Sequence, residues 1–201
     1  MARTTSTSTT PDRLPARERL LAAADELFYG EGVHTVGIDR VIEQAGVAKA
    51  TLYSSFGSKE GLIREYLLRR HLARKERMLA RLATLDTPRE RLLGVFDVLV
   101  ESFALPGFHG CAFVNASAES PPGSAVEEVS DEARAWIRSL FVELGEAAGA
   151  ADAPGLARQL QMLYDGAAVA ARMDRDLSAA TAARATAVQL LDAAIDGERG
   201  V

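Results

Sequence analysis

Between Val33 and Gly61 the chain reads VHTVGIDRVIEQAGVAKATLYSSFGSKEG, two short apolar patterns on either side of a glycine. Ile38, Val41, Ile42 and Ala45 recur at the spacing of a helix, and Gly46 follows. Glycine adopts the left-handed backbone that ends a helix without a Cβ clash. A second short helix is predicted from about Ala48 to Phe56, with Val47, Leu52 and Phe56 on its buried side. Two short helices joined by a glycine-containing turn predict a helix-turn-helix, whose second helix enters the DNA major groove.

The other side of that second helix carries Lys49, Thr51, Tyr53, Ser54 and Ser55, and Lys59 follows it. Hydroxyls and lysines position phosphates and read base edges. A solvated helix face has the same composition, so the residue types alone leave both readings open.

The run GIDRVIEQAGVAKATLYSSFGSKEGLI closely resembles the DNA-binding domain of the TetR family of transcriptional regulators. The resemblance is carried by Ala45-Gly46-Val47, Lys49, Thr51-Leu52-Tyr53, Phe56 and Ser58-Lys59-Glu60, and it is dense from about Arg17 to Leu68. It implies that Lys49, Ala50, Thr51, Tyr53, Ser54 and Ser55 face an operator and that Lys59 meets a phosphate. Three positions depart from the family pattern. Ala48 stands where serine is frequent, so a side-chain N-cap is missing. Ser55 stands where histidine is common, and Gly57 where proline is common.

A net charge of −5 over 201 residues argues against DNA binding if taken whole. Its distribution argues the other way. Residues 1–85 hold 14 Lys and Arg against 10 Asp and Glu, whereas residues 86–201 hold 9 against 18. A net +4 part and a net −9 part fit a nucleic-acid-binding end and an acidic end that stays off DNA.

The rest of the chain reads as helices. Pro15 is suited to open the first, with Leu20, Leu21, Ala24, Leu27 and Phe28 as its stripe and Gly30 and Gly32 at its end. Those glycines do not make a dinucleotide loop. They follow a helix, and Thr35 sits where a third glycine is needed. Ser58 caps a long helix to about Ala83, with Leu62, Ile63, Tyr66 and Leu67 inside. Its many arginines read as a solvated face, with electrostatic support of DNA near Lys59. Thr87-Pro88-Arg89-Glu90 is a capping box opening a helix that runs to Phe103. A short helix follows from about Cys111 to Glu119, in a segment whose G-C-x-x-x-N pattern also occurs in one group of TetR-like proteins. Ser124 with Glu127 opens the next helix as a second capping box. Asp152 caps one running to about Met173, and Ser178 caps the last.

No strand pattern is present, so the expected fold is all-α with about nine helices. The expected organisation is a disordered tail over 1–14, a helix-turn-helix domain over 15–60 and a helical ligand-binding and dimerisation domain over 61–201. The resemblance implies a homodimer joined through the last two helices and a small-molecule effector. Phe96, Phe103, Phe108, Phe113, Trp136, Phe141 and Tyr164 are candidates for the pocket lining. Few cations fall between Phe96 and Met173, while Glu101, Glu119 and Asp165 lie near apolar stripes. That span favours a neutral or cationic ligand over an anion.

Other classes find less support. There is no Ser/His/Asp spacing, metal cluster or phosphate loop, so no enzyme and no cofactor is expected. His109 and Cys111 are close but offer two ligands, fewer than zinc needs. One cysteine excludes an internal disulfide. No apolar run approaches membrane length, and the polar start MARTTSTSTTPD lacks a secretory core, so a cytoplasmic protein is expected. The expected function is a ligand-responsive repressor binding a palindromic operator as a dimer. The alternative is an architectural or partner-recruiting DNA-binding protein without an inducer.

Overall fold

The computed structural model describes residues 14–196. Nine helices and no strand are present among them: α1 Ala16–Glu31, α2 Ile38–Ala45, α3 Lys49–Phe56, α4 Lys59–Leu82, α5 Pro88–Phe103, α6 Ala112–Glu119, α7 Ala125–Ala147, α8 Ala153–Asp174 and α9 Ser178–Asp196. The all-α expectation holds. The tail expected over 1–14 lies outside the described residues, apart from Leu14.

The helix ends follow local chemistry, with four differences from expectation. Pro15 is the N-cap of α1 and not its first residue, and Gly30 lies inside the helix, which ends at Gly32. Thr87 and Glu90 form the reciprocal capping box. At α7 only half of the second box forms. Ser124 accepts the Glu127 N–H at 3.4 Å, but the Glu127 carboxylate accepts from the Gly123 N–H. Ser178 is the first residue of α9, and Asp176 receives both its N–H, at 2.9 Å, and its hydroxyl, at 2.6 Å. A carboxylate accepts from two donors at once, which a serine hydroxyl does less well.

Two apolar cores form. The first joins α1, α2, α3 and the start of α4 to α6 and the first turns of α7, with Leu20, Val41, Leu52, Leu62 and Leu67 fully enclosed. The second joins the end of α4 to α5, α7, α8 and α9 around Met78, Phe96, Phe141, Leu160 and Leu191. Each fully buried leucine contributes roughly 1.5–3 kcal/mol. The first core continues past residue 60 into α4, α6 and α7, so apolar packing joins the helix-turn-helix to the larger part of the chain. α4 belongs to both cores, and it is the beam between them.

Candidate functional site

The turn between α2 and α3 is built as its sequence requires. Gly46 sits at φ 60° and ψ 47°, in the left-handed region, and the Val47 N–H reaches back to the Ile42 carbonyl at 3.3 Å. Arg19 of α1 donates to the carbonyls of Ala45 at 2.9 Å and Gly46 at 3.1 Å, closing the end of α2 from outside. A cation at a helix C-terminus opposes the negative end of the helix dipole. Arg19 had no motif to mark it in the sequence. On α3, Leu52 is fully enclosed and Phe56 is half-buried, with the Arg17 guanidinium 5.0 Å from its ring centroid.

With Leu52 inside, Lys49, Ala50, Tyr53 and Ser54 face outward, while Thr51 and Ser55 are half-buried at the flanks. Tyr53 is 44% exposed. The Ser54 hydroxyl donates to the Thr51 carbonyl at 3.1 Å, and Ala48 provides no side-chain cap. Lys49 pairs with Asp39 of α2 at 2.9 Å. The hydrogen bond to that carboxylate, and then its charge, hold the lysine above its ordinary pKa. Lys59, half-buried at the start of α4, lies 3.5 Å from the His34 carbonyl. Of the seven expected DNA-facing residues, Lys49, Ala50, Tyr53 and Ser54 are exposed on α3, and Thr51, Ser55 and Lys59 are half-buried.

On the other side of α4 lies a cavity of about 670 Å³. α1 contributes Ala22, Asp25 and Tyr29, α4 contributes Arg69, Arg70, Arg74 and Arg77, α5 contributes Val98, Leu99, Ser102 and Phe103, and α8 contributes Tyr164 and Ala168. The segment from Leu105 to Phe113 also lines it, and the tilted Phe103 and Phe108 rings lie 4.6 Å apart between centroids. A smaller cavity of about 190 Å³ shares Arg74, Cys111, Phe113 and Tyr164. The larger volume falls in the range of small-molecule sites.

The candidate lining residues divide. Phe103, Phe108, Phe113 and Tyr164 face a cavity. Phe96 and Phe141 are fully enclosed in the second core, 5.8 Å apart between centroids, because their helix faces turn toward α8. Trp136 lies against His71 and beside the Lys75 ammonium, away from both cavities. The carboxylates behind the charge expectation all have partners. Glu101 pairs with Arg81 at 3.5 Å, Glu119 accepts the His34 N–H at 2.9 Å, and Asp165 pairs with Arg134 at 2.9 Å. The cavity's cations come from α4, outside the span from Phe96 to Met173. Arg70, Arg74 and Arg77 recur at spacings of four and three along one face of α4, which was the readable signal.

The wall between the cavity and α1 is tied by polar contacts. Arg70 grips Asp25 with two hydrogen bonds of 2.7 and 2.9 Å and lies 3.7 Å from the Tyr29 ring centroid. The Tyr29 hydroxyl donates to the Gly110 carbonyl at 2.9 Å and accepts the His109 N–H at 3.0 Å. The G-C-x-x-x-N segment ends this network. Asn115 donates to the His109 carbonyl at 3.0 Å and accepts from Arg172 of α8. Cys111, half-buried, lines both cavities.

The family model of bacterial regulatory proteins of the tetR family matches residues 20–66. Among curated proteins, the transcriptional activator FasR of Mycolicibacterium smegmatis is 47% identical over 51 residues, 24% of this chain and 23% of that protein. The regulator UidR of Escherichia coli is 36% identical over 90 residues, 44% of this chain and 41% of that protein. These matches span less than half the length of those curated relatives. Solved structures match much further. SCO4454, a TetR-family transcriptional regulator from Streptomyces coelicolor, is 33% identical over 89% of this chain and 95% of its own, with a TM-score of 0.84. A TetR-type regulator from Streptomyces avermitilis is 33% identical over 90% and 98%, with a TM-score of 0.75. With its helix-turn-helix and its helical body both matched, the chain belongs to the TetR family of transcriptional regulators.

Proposed function

We propose that this regulator is a cytoplasmic homodimeric repressor that binds a pseudo-palindromic operator and leaves it when a small molecule fills the α4 cavity. Residues 15–60 serve as the DNA-reading part and 61–201 as the effector and dimer part. Lys49, Ala50, Thr51, Tyr53, Ser54 and Ser55 meet the major groove, and Lys59 meets a phosphate.

The observation that carries this reading is the shared wall. Asp25 and Tyr29 of α1 line the same cavity as the arginines of α4, and α1 also holds the α2–α3 turn through Arg19. A ligand that prefers one position of this wall biases the α3 orientation that goes with it. Only such differential affinity shifts an equilibrium between two states.

Dimerisation supplies the second recognition helix. Met162, Gly166, Val169 and Met173 form an exposed stripe along α8, with Met162 68% and Met173 76% exposed. Ala182, Ala185, Gln189 and Ala193 form an exposed, uncharged stripe on α9. Single exposed hydrophobics are ordinary, but a continuous stripe is the kind of surface a partner covers. These stripes support a pairing of α8 and α9 with their copies.

The test is a footprint of the purified chain on DNA flanking its own gene, with a promoter-reporter assay in cells with and without it. Two protected half-sites about one or more helical turns apart, and higher expression without the gene, are expected. A single half-site, or expression that falls without the gene, would overturn the dimeric or the repressor part respectively.

A further inference from the structure

We propose that the cavity's effector is an organic anion with an apolar body, seated with its acid group on Arg74 and its body against Phe103 and Phe108. This rests on reading the cavity as the effector site.

The α4 side of the cavity is cationic. Four guanidinium groups from α4 and one carboxylate, Asp25, line the space. Arg70 is spent on Asp25, and Arg69 pairs with Glu18 at 2.9 Å. Arg74 and Arg77 have no carboxylate partner among the described residues. The wall therefore holds a cationic excess that repels a cationic ligand and attracts an anionic one.

Arg74 is the most exacting of these groups. It is half-buried, its guanidinium lies 4.8 Å from the Phe113 ring centroid, and its Nη2 donates to the Ala133 carbonyl at 3.3 Å. Its Nε is enclosed and has no acceptor. Asp165 on α8 lies near but is held by Arg134. An enclosed donor without an acceptor is costly, and a charged one more so. A guanidinium fork with donors to spare matches a carboxylate or similar oxyanion.

The opposite wall is apolar. Val98, Leu99, Phe103, Phe108 and Ala168 carry no charge, and the Phe103 and Phe108 rings lie in contact. A small inorganic anion would leave this wall uncovered in a space of about 670 Å³. A neutral apolar molecule would leave the Arg74 charge without a counter-charge. An amphipathic acid satisfies both.

The experiment uses the full chain and a matched pair of probes, 1-naphthylacetate and its neutral amide, measured by calorimetry. The acid is expected to bind roughly tenfold or more tightly than the amide, since hydrogen bonds to charged groups are the stronger ones. Arg74→Gln should erase that preference while amide binding persists. Arg74→Lys should keep part of it. Arg89→Gln, a charge loss at a residue that pairs with Asp192 and lines neither cavity, should leave it unchanged. Thermal melts verify that each variant folds. Equal affinities for the two probes overturn the inference. So does a preference that survives Arg74→Gln, or an acid that does not saturate the protein up to millimolar concentration. Operator release is scored separately. Arg74-dependent binding of the acid without any change in operator affinity would sustain the ligand chemistry and remove the effector role. Release by both probes alike would do the reverse.

Discussion

A side chain on Gly61 would overlap the carbonyl oxygen of Phe56, so the recognition helix ends against bare backbone at the start of α4. Ser58 caps α4 in the same turn, accepting the Gly61 N–H at 3.1 Å. The junction sets how α3 hangs from the beam that reaches the cavity. Gly61→Ala should destabilise the protein by roughly 1–3 kcal/mol, as overpacking does, and lower operator affinity. Sedimentation should still show a dimer, because the change is remote from α8 and α9. Unchanged melting and unchanged operator affinity would mean that the turn relaxes freely.

The Lys49–Asp39 pair makes a prediction of opposite sign. Asp39→Asn frees Lys49 and removes a negative charge from the DNA-facing surface. Operator affinity should rise at low salt, with the gain shrinking as salt is added. Lys49→Ala and Lys59→Ala should weaken binding, and removing a lysine that neutralises a phosphate should reduce the salt slope by about 1. Tyr53→Ala should cost roughly 1–3 kcal/mol of binding if the ring reads a base edge, with thermal stability little changed. Operator titrations across a salt series distinguish these outcomes. Wild-type affinity and slope in all four variants would remove α3 as the reading helix.

Dimerisation is best probed from the surface. Removing Ser178–Val201 would strip Ala180, Ala183, Ala187 and Leu191 from the chain's own second core, so that deletion would confuse unfolding with dissociation. Met162→Glu combined with Met173→Glu leaves the core intact and places charge in the exposed α8 stripe. A folded monomer in sedimentation, with sharply reduced operator affinity, is expected. A dimer that persists would place the interface elsewhere.

His71 predicts a pH dependence. It is buried between Phe113 and Trp136, with ring centroids 6.4 and 5.8 Å away. Its Nδ1 is without a partner. Burial, and then the Arg74 charge, hold its pKa below the ordinary histidine value. The unfolded chain therefore takes up the proton first as pH falls. This contribution to stability is complete above about pH 6.5 and is lost below it, down toward the folded-state pKa. Melting temperatures at about pH 7.5 and about pH 5.5 should differ more for the wild type than for His71→Phe. Equal differences would exclude His71 as the source.

The helix-turn-helix was legible in the sequence because its determinants are local. Gly46 ends α2 by its own backbone freedom, Leu52 and Phe56 orient α3 by their spacing, and Ser58 and Thr87 start helices within three residues of themselves. The same local rules located the other helices, with errors confined to caps such as Ser178, where a neighbouring carboxylate was the better acceptor. An apolar stripe, however, states that a face is covered and not by what. Phe96, Phe141 and Phe103 share one pattern, yet only Phe103 meets the cavity. The arginines of α4 read as solvated because their partners lie far away in the chain. Asp25 is 45 residues from Arg70, and the Ala133 carbonyl is 59 residues from Arg74. Such pairings form when helices pack, so the tertiary structure alone decided the cavity, its charge and its link to the DNA-reading helices.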